Sequence, residues 1–271
     1  MDHLLRHLAP TTSEGWSEIE EEASRTLKTT LAGRKLVDFR GPHGWACDSV
    51  QTGRSKALKK TPQKTVGGRL REVQPMAELR VAFTLSLAEL QSISRGAEDA
   101  DLNPVVEAAR AIALAEDGAI FHGWPEAGIE GICSHASAGP VSLSTDYLKY
   151  PAAVTEALKR LRDAGVGGPY AIALGPRCYK GLQETTHDGY PVMEHVRQLV
   201  GGPIVWAPAV DGAAVLSVRG GDFALSVGQD LSIGYTGMSG DEVHLYIEES
   251  FTFRNLTPEA AVPLVYGRKA D

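Results

Sequence analysis

Leu31-Ala32-Gly33-Arg34-Lys35-Leu36-Val37-Asp38-Phe39, with Gly41-Pro42-His43-Gly44-Trp45 close behind, marks the point where this chain leaves a helix, extends and meets a rigid corner. Upstream, Trp16, Ile19, Ala23, Leu27 and Leu31 recur every three or four residues and so share one helix face. Glu18, Glu20, Glu21, Glu22 and Lys28 fall mainly elsewhere, and Thr11, Thr12 and Ser13 behind Pro10 are available as N-caps. An amphipathic helix that runs straight into a strand and a corner has the chemistry of an assembly element.

The chain has 271 residues, 43% of them hydrophobic, enough to bury a sizeable core in one large domain or two interlocked smaller ones. Its formal net charge is -7, whereas phosphate binding needs clustered Lys and Arg, so a nucleic-acid partner and a genome-filled capsid are disfavoured. Cys47, Cys133 and Cys178 make an odd count without CxxC spacing, which suggests thiols of a reducing cytoplasm rather than disulfides or a zinc knuckle. Residues 1–7 lack the continuous apolar region of a secretory signal, and no later run reaches the ~20 apolar residues of a membrane span. A soluble, cytoplasmic protein is expected.

After Trp45 the apolar periodicity disappears. Arg54, Lys56, Lys59, Lys60, Lys64, Arg69 and Arg71 crowd residues 48–74 together with Gly53, Gly67 and Gly68. Such a segment cannot fold on a core of its own, so it is either a disordered surface loop or a piece ordered by a neighbour. We read it as a two-stranded arm that adds to another subunit. Residues 78–85 then alternate strictly, with Leu79, Val81, Phe83 and Leu85 on one face, which predicts a half-buried strand.

A helix is predicted over 101–121, with Pro104 near its first position and Gly123 and Pro125 ending it. Ser144-Thr145-Asp146 caps a second helix, residues 170–174 form an apolar strand, 178–183 a short helix, 185–191 a polar turn and 192–199 a further helix. The last third reads as mainly strand.

Gly220-Gly221-Asp222-Phe223, Gly228-Gln229-Asp230-Leu231-Ser232-Ile233-Gly234-Tyr235 and Glu249-Ser250-Phe251-Thr252-Phe253 close the pattern. With the stretch from Leu8-Ala9-Pro10 through Trp16 to Gly44-Trp45, and with the 78–85 strand, these motifs resemble the encapsulins, bacterial shell proteins on the tailed-phage capsid fold. The resemblance implies an α+β fold of the tailed-bacteriophage major capsid type, with a peripheral domain, an axial domain and an extended loop. It places the N-terminal helix and start of the peripheral domain at 1–47, the extended loop at 48–74, the peripheral domain with its spine helix at 75–142 and the axial domain at 143–208. Residues 209–271 are then expected as the returning peripheral strands and tail.

The same resemblance implies a closed icosahedral homo-oligomer of about sixty subunits that encloses a cargo enzyme, a dye-decolourising peroxidase or a ferritin-like protein. The cargo is held by a C-terminal peptide in an inner-face groove, which we place against Leu27, Leu31, Arg34, Asp38, Leu231 and Ile233. An apolar groove would bury aliphatic side chains while Arg34 and Asp38 fix register through charged hydrogen bonds. Equally open from the residues alone are plain core positions for Leu27, Leu31, Leu231 and Ile233, and a simple ion pair between Arg34 and Asp38. A pore loop is implied at Glu184, His187, Asp188 and Tyr190, where ring symmetry would multiply each polar group; an ordinary solvated turn is the alternative.

Enzyme motifs are not found: there is no GxSxG elbow, no HExxH and no Walker loop, and Gly165-Val166-Gly167-Gly168 lacks dinucleotide spacing. His3 and His7 are too few for a metal site, and the run Glu18, Glu20, Glu21, Glu22 reads as a solvated face. Some encapsulins are associated with flavin; the corresponding position falls near Ala88, which has no ring to stack, so no cofactor is expected. The chain is read as a non-catalytic shell protein, with a hydrolase or bacteriocin-like secreted protein as the alternative.

Overall fold

The computed structural model describes residues 3–267. Helix α1 spans Ser13–Thr30 and begins where the Thr12 hydroxyl accepts the Gly15 N–H at 3.3 Å. Leu31 leaves the helix with an extended backbone, and one 3-10 turn, Gly33–Lys35, leads to the short strand β1, Asp38–Arg40. At the corner behind it Gly41 has φ 127°, and a Cβ there would stand 2.3 Å from the Val227 carbonyl oxygen, so only glycine fits.

Strands β2, Ser49–Ala57, and β3, Arg69–Pro75, form an antiparallel hairpin that pairs with no other strand among the described residues. Leu58, Val66, Leu70 and Val73 are exposed along it. Strand β4, Ala77–Ser86, follows the predicted alternation, burying Phe83 and Leu85. Helices α2, Leu87–Ser94, and α3, Asn103–His122, come next; α3 is about 30 Å long, has Pro104 in its first turn and ends at Gly123.

Asp146 caps a 3-10 turn, Tyr147–Lys149, that runs into α4, Tyr150–Asp163, after the short strand β5, Val141–Leu143. The chain continues as β6, Tyr170–Leu174; α5, Pro176–Glu184; β7, Thr186–His187; β8, Tyr190–Pro191; α6, Val192–Val200; and β9, Ile204–Trp206. The remaining strands are β10, Ala213–Ser217; β11, Phe223–Val227; β12, Ser232–Ser239; β13, Glu242–Asn255; and β14, Ala261–Tyr266.

Two sheets organise these elements. In the first, β13 is the axis: β4 lies along one side, and β12 then β11 along the other, so that Ile247 faces both Val81 and Ile233. β1 joins β11 in parallel. The second sheet has the order β5-β14-β10-β6-β9, with β6 and β10 buried along their whole length. The expectation that residues 209–271 all return to the first layer is corrected here: β10 pairs with β6 and β14 with β10, so both belong to the second sheet. A strand buried on both faces carries no alternation, and its partners lie far away in sequence, so periodicity does not encode its layer.

Helix α3 joins two cores. Val105, Ala109 and Ile112 pack with Ile19 and Ala23 of α1 and with Leu245 and Ile247 of the first sheet. In its last turn Ile120 and Phe121 enter the second core, with α4, the second sheet and Leu225 and Phe253 of the first. Among the described residues no helix is long and apolar enough to cross a membrane.

Candidate functional site

A cleft of about 610 Å³ opens between α1 and β12. Leu27 and Leu31 line it from the helix side, Leu231 and Ile233 from the strand side, and Ile247 from below. Leu27 lies on α1 and Leu31 caps the helix one turn further on, while Leu231, just before β12, and Ile233 within it stand two residues apart. Leu31, Ile233 and Ile247 are buried in the packing beneath the cleft, while Leu27 and Leu231 are partly open to it.

Arg34 closes one end. Its Nε donates to both Glu116 carboxylate oxygens at 3.0 and 2.9 Å, its Nη2 donates to Glu116 at 2.6 Å and to Glu249 at 3.0 Å, and its Nη1 donates to Asp230 at 2.7 Å. Glu116 and Glu249 are fully buried, and such carboxylates survive only where a cation and hydrogen bonds replace water. Burial alone would weaken the Arg34 charge, but the carboxylates around it outweigh that and raise its pKa. Burial, then the neighbouring Glu116 charge, pushes the Glu249 carboxyl well above the usual range.

Beside this cluster the Asp117 carboxylate accepts the N–H groups of Ala32 and Gly33 at 2.7 and 2.8 Å, fixing the chain just where it leaves α1. Burial lifts its pKa to about 7 against the pull of those two hydrogen bonds.

Asp38 lies outside the cleft, which corrects its placement with the other five residues. Its Oδ2 accepts the Gly221 N–H at 2.6 Å at the turn before β11, and Arg34 is engaged elsewhere. The four-residue spacing would bring Arg34 and Asp38 together only on a continuing helix, but the helix has ended at Thr30 and Asp38 starts a strand.

The second candidate region is a small hairpin at one end of the second layer. Asp188 and Gly189, with φ 51° and 80°, form the two-residue turn between β7 and β8, both in the left-handed region that such turns require. His187 and Asp188 project into solvent, with His187 Nε2 4.0 Å from Asp188 Oδ2. Glu184 sits 3.8 Å from Lys180, and the Tyr190 hydroxyl accepts from Gln198 Nε2 at 2.9 Å, tying the hairpin to α6. The four predicted residues thus share one compact projection, and the Asp-Gly pair is the sequence signal that distinguishes this tight hairpin from the plain polar turn expected.

Glu116, Asp117, Asp230 and Glu249 were not among the sequence candidates. Glu116 and Asp117 carried a readable signal, two adjacent acids within a mainly apolar stretch of helix. Among the described residues no group of His, Cys, Asp or Glu is arranged to hold a metal ion.

The two-layer arrangement with a projecting hairpin and a long spine helix is the architecture of capsid-type shell subunits. The virus-like particle protein of Pyrococcus furiosus superposes with a TM-score of 0.62 over 91% of this chain and 97% of its own, at 15% identity, a likeness of fold. Residues 1–252 match the family described as "Encapsulating protein for peroxidase", and the chain belongs to it. The type 1 encapsulin shell protein of Rhodospirillum rubrum is 54% identical over 97% of this chain and 96% of its own length. That of Mycolicibacterium paratuberculosis is 49% identical over 97% and 99%. These relatives are named as shell proteins, in agreement with a structural rather than catalytic role.

Proposed function

We propose that this chain is the shell subunit of a closed icosahedral compartment of about sixty copies, formed in the cytoplasm around a cargo enzyme. The observation that carries the reading is the β2–β3 hairpin, which among the described residues pairs with no other strand and exposes Leu58, Val66, Leu70 and Val73. Copies of the same chain supply the cover that such an arm lacks.

The cargo peptide lies in the cleft between α1 and β12. Leu27, Leu31, Leu231 and Ile233 bury two or three aliphatic side chains, each worth roughly 1.5–3 kcal/mol, and many weak sites per shell add by avidity. The family description supports a peroxidase as the cargo, of the dye-decolourising type, with a ferritin-like protein as the other class such a tail would serve. The hairpin bearing His187, Asp188 and Tyr190, with Glu184 at the end of α5 beside it, rings an opening through which small substrates pass.

Electron microscopy and light scattering of the purified protein test the assembly. Closed, uniform particles are expected. A stable monomer in dilute buffer would overturn it.

A further inference from the structure

The cleft has a direction. Arg34, just past the C-terminal end of α1, holds Asp230, the residue two before β12 begins. At the opposite end Tyr235 donates its N–H to the Leu4 carbonyl at 2.8 Å, and Arg6 of the same N-terminal segment pairs with Glu20 of α1 at 2.5 Å. Helix and strand therefore pass each other antiparallel, and the cleft between them is bounded by the Arg6–Glu20 pair at one end and by Arg34 at the other. From Glu20 to Thr30 the helix rises about 15 Å, the span of about five extended residues at ~3.3 Å each. An extended segment of that length presents two or three alternate side chains to the leucine-rich floor.

The charges on the cleft wall are unevenly answered. Arg6 is paired with Glu20, and Arg34 with Glu116, Asp230 and Glu249. Lys28 and Lys35 also line the cleft, both exposed. Among the described residues neither makes a salt bridge, and Lys35 acts on buried Asp117 only through space. Lys28 stands beside Leu27 and Leu31, and Lys35 directly follows Arg34, so both unanswered cations lie toward the Arg34 end.

We infer that Lys28 and Lys35 form a carboxylate subsite that fixes the polarity of the occupant. Its terminal carboxylate sits between the two ammonium groups, its alternate aliphatic side chains lie on Leu27, Leu31, Leu231 and Ile233, and the chain leaves past the Arg6–Glu20 pair. The segment runs parallel to α1. This rests on the reading of the cleft as a peptide site and adds which chemical end of the peptide is recognised and where.

The test is co-expression of the full-length shell protein with a fluorescent protein ending in an alternating Leu-Ser-Ile-Ser-Leu tail, read as fluorescence per purified particle. A second tail carries four further glycines, which move the carboxylate about 13 Å beyond the last leucine. In the unaltered shell the extended tail is expected to load three- to tenfold less, as for two partly screened ion pairs. In a Lys28→Ala, Lys35→Ala shell the two tails load equally, at the lower level. Equal loading of both tails in the unaltered shell overturns the carboxylate subsite and leaves the cleft reading standing. Failure of both tails to load overturns the cleft reading and the subsite with it.

Discussion

Arg34 and Glu116, 82 residues apart in the chain, meet in a bidentate pair that ties the exit of α1 to the middle of α3. The pair forms one end of the cleft and anchors the strand side of it through Asp230 and Glu249. A guanidinium answers three carboxylates in fixed directions, which an ammonium cannot do.

Removing one partner of a buried pair leaves the other charge uncompensated. Glu116→Ala is expected to destabilise the subunit by about 3 kcal/mol, and Arg34→Lys by less than that, because the charge survives while the fork geometry is lost. Chemical denaturation of the two variants beside the parent checks the order. Equal stability of parent and Glu116→Ala would remove the pair from the account of the fold.

The Asp117 carboxyl is raised to about 7 by burial, from an ordinary value near 4. A folded state that holds the proton more tightly than the unfolded chain is favoured where the proton is bound. The contribution of Asp117 to stability is therefore complete below about pH 4 and is lost as pH rises through about 7. Asp117→Asn is expected to flatten this slope, by on the order of 2–4 kcal/mol across that window. Thermal unfolding of both proteins from pH 4 to pH 8 measures the difference, and parallel curves would show that Asp117 does not titrate with folding.

Leu231 is partly open to the cleft, so a charge placed there disturbs the floor more than the core beneath it. Leu231→Asp is expected to leave particle diameter unchanged and to lower cargo content at least tenfold, the cost of about 1.4 kcal/mol or more of apolar contact. Particle size by light scattering and cargo by denaturing gel separate the two effects. Undiminished cargo would move the peptide site away from β12.

The ends of the hairpin arm lie side by side, since Ser49 pairs with Pro75 and Asp48 accepts the Met76 N–H. The arm can thus be cut out and closed with a short glycine joint without straining β4. Such a deletion of residues 49–75 is expected to give folded, soluble subunits that form no closed shell, as seen by size-exclusion chromatography and circular dichroism. Intact particles would deny the arm its assembly role.

Much of this architecture was legible in the sequence because one face of an element met a core. Leu79, Val81, Phe83 and Leu85 alternate in β4 since one side of that strand packs under α3, and the α1 stripe from Ile19 to Leu27 repeats for the same reason. The extended arm was visible in the absence of such a pattern. Legibility failed where partners are distant. Nothing local in β10 or β14 names β6 as their neighbour, and nothing near Arg34 announces Glu249 across 215 residues. Asp38 was misplaced because a four-residue spacing carries meaning only while the helix lasts, and this one stops at Thr30.

β14 lies between β5 and β10, inside the second sheet rather than on its edge, although it is formed by residues 261–266. Without those residues β5 has no strand to pair with and β10 keeps only β6 among the described residues, leaving backbone groups unanswered on both. The second layer therefore closes only when three distant stretches of the chain have met, so its order is won or lost as a unit.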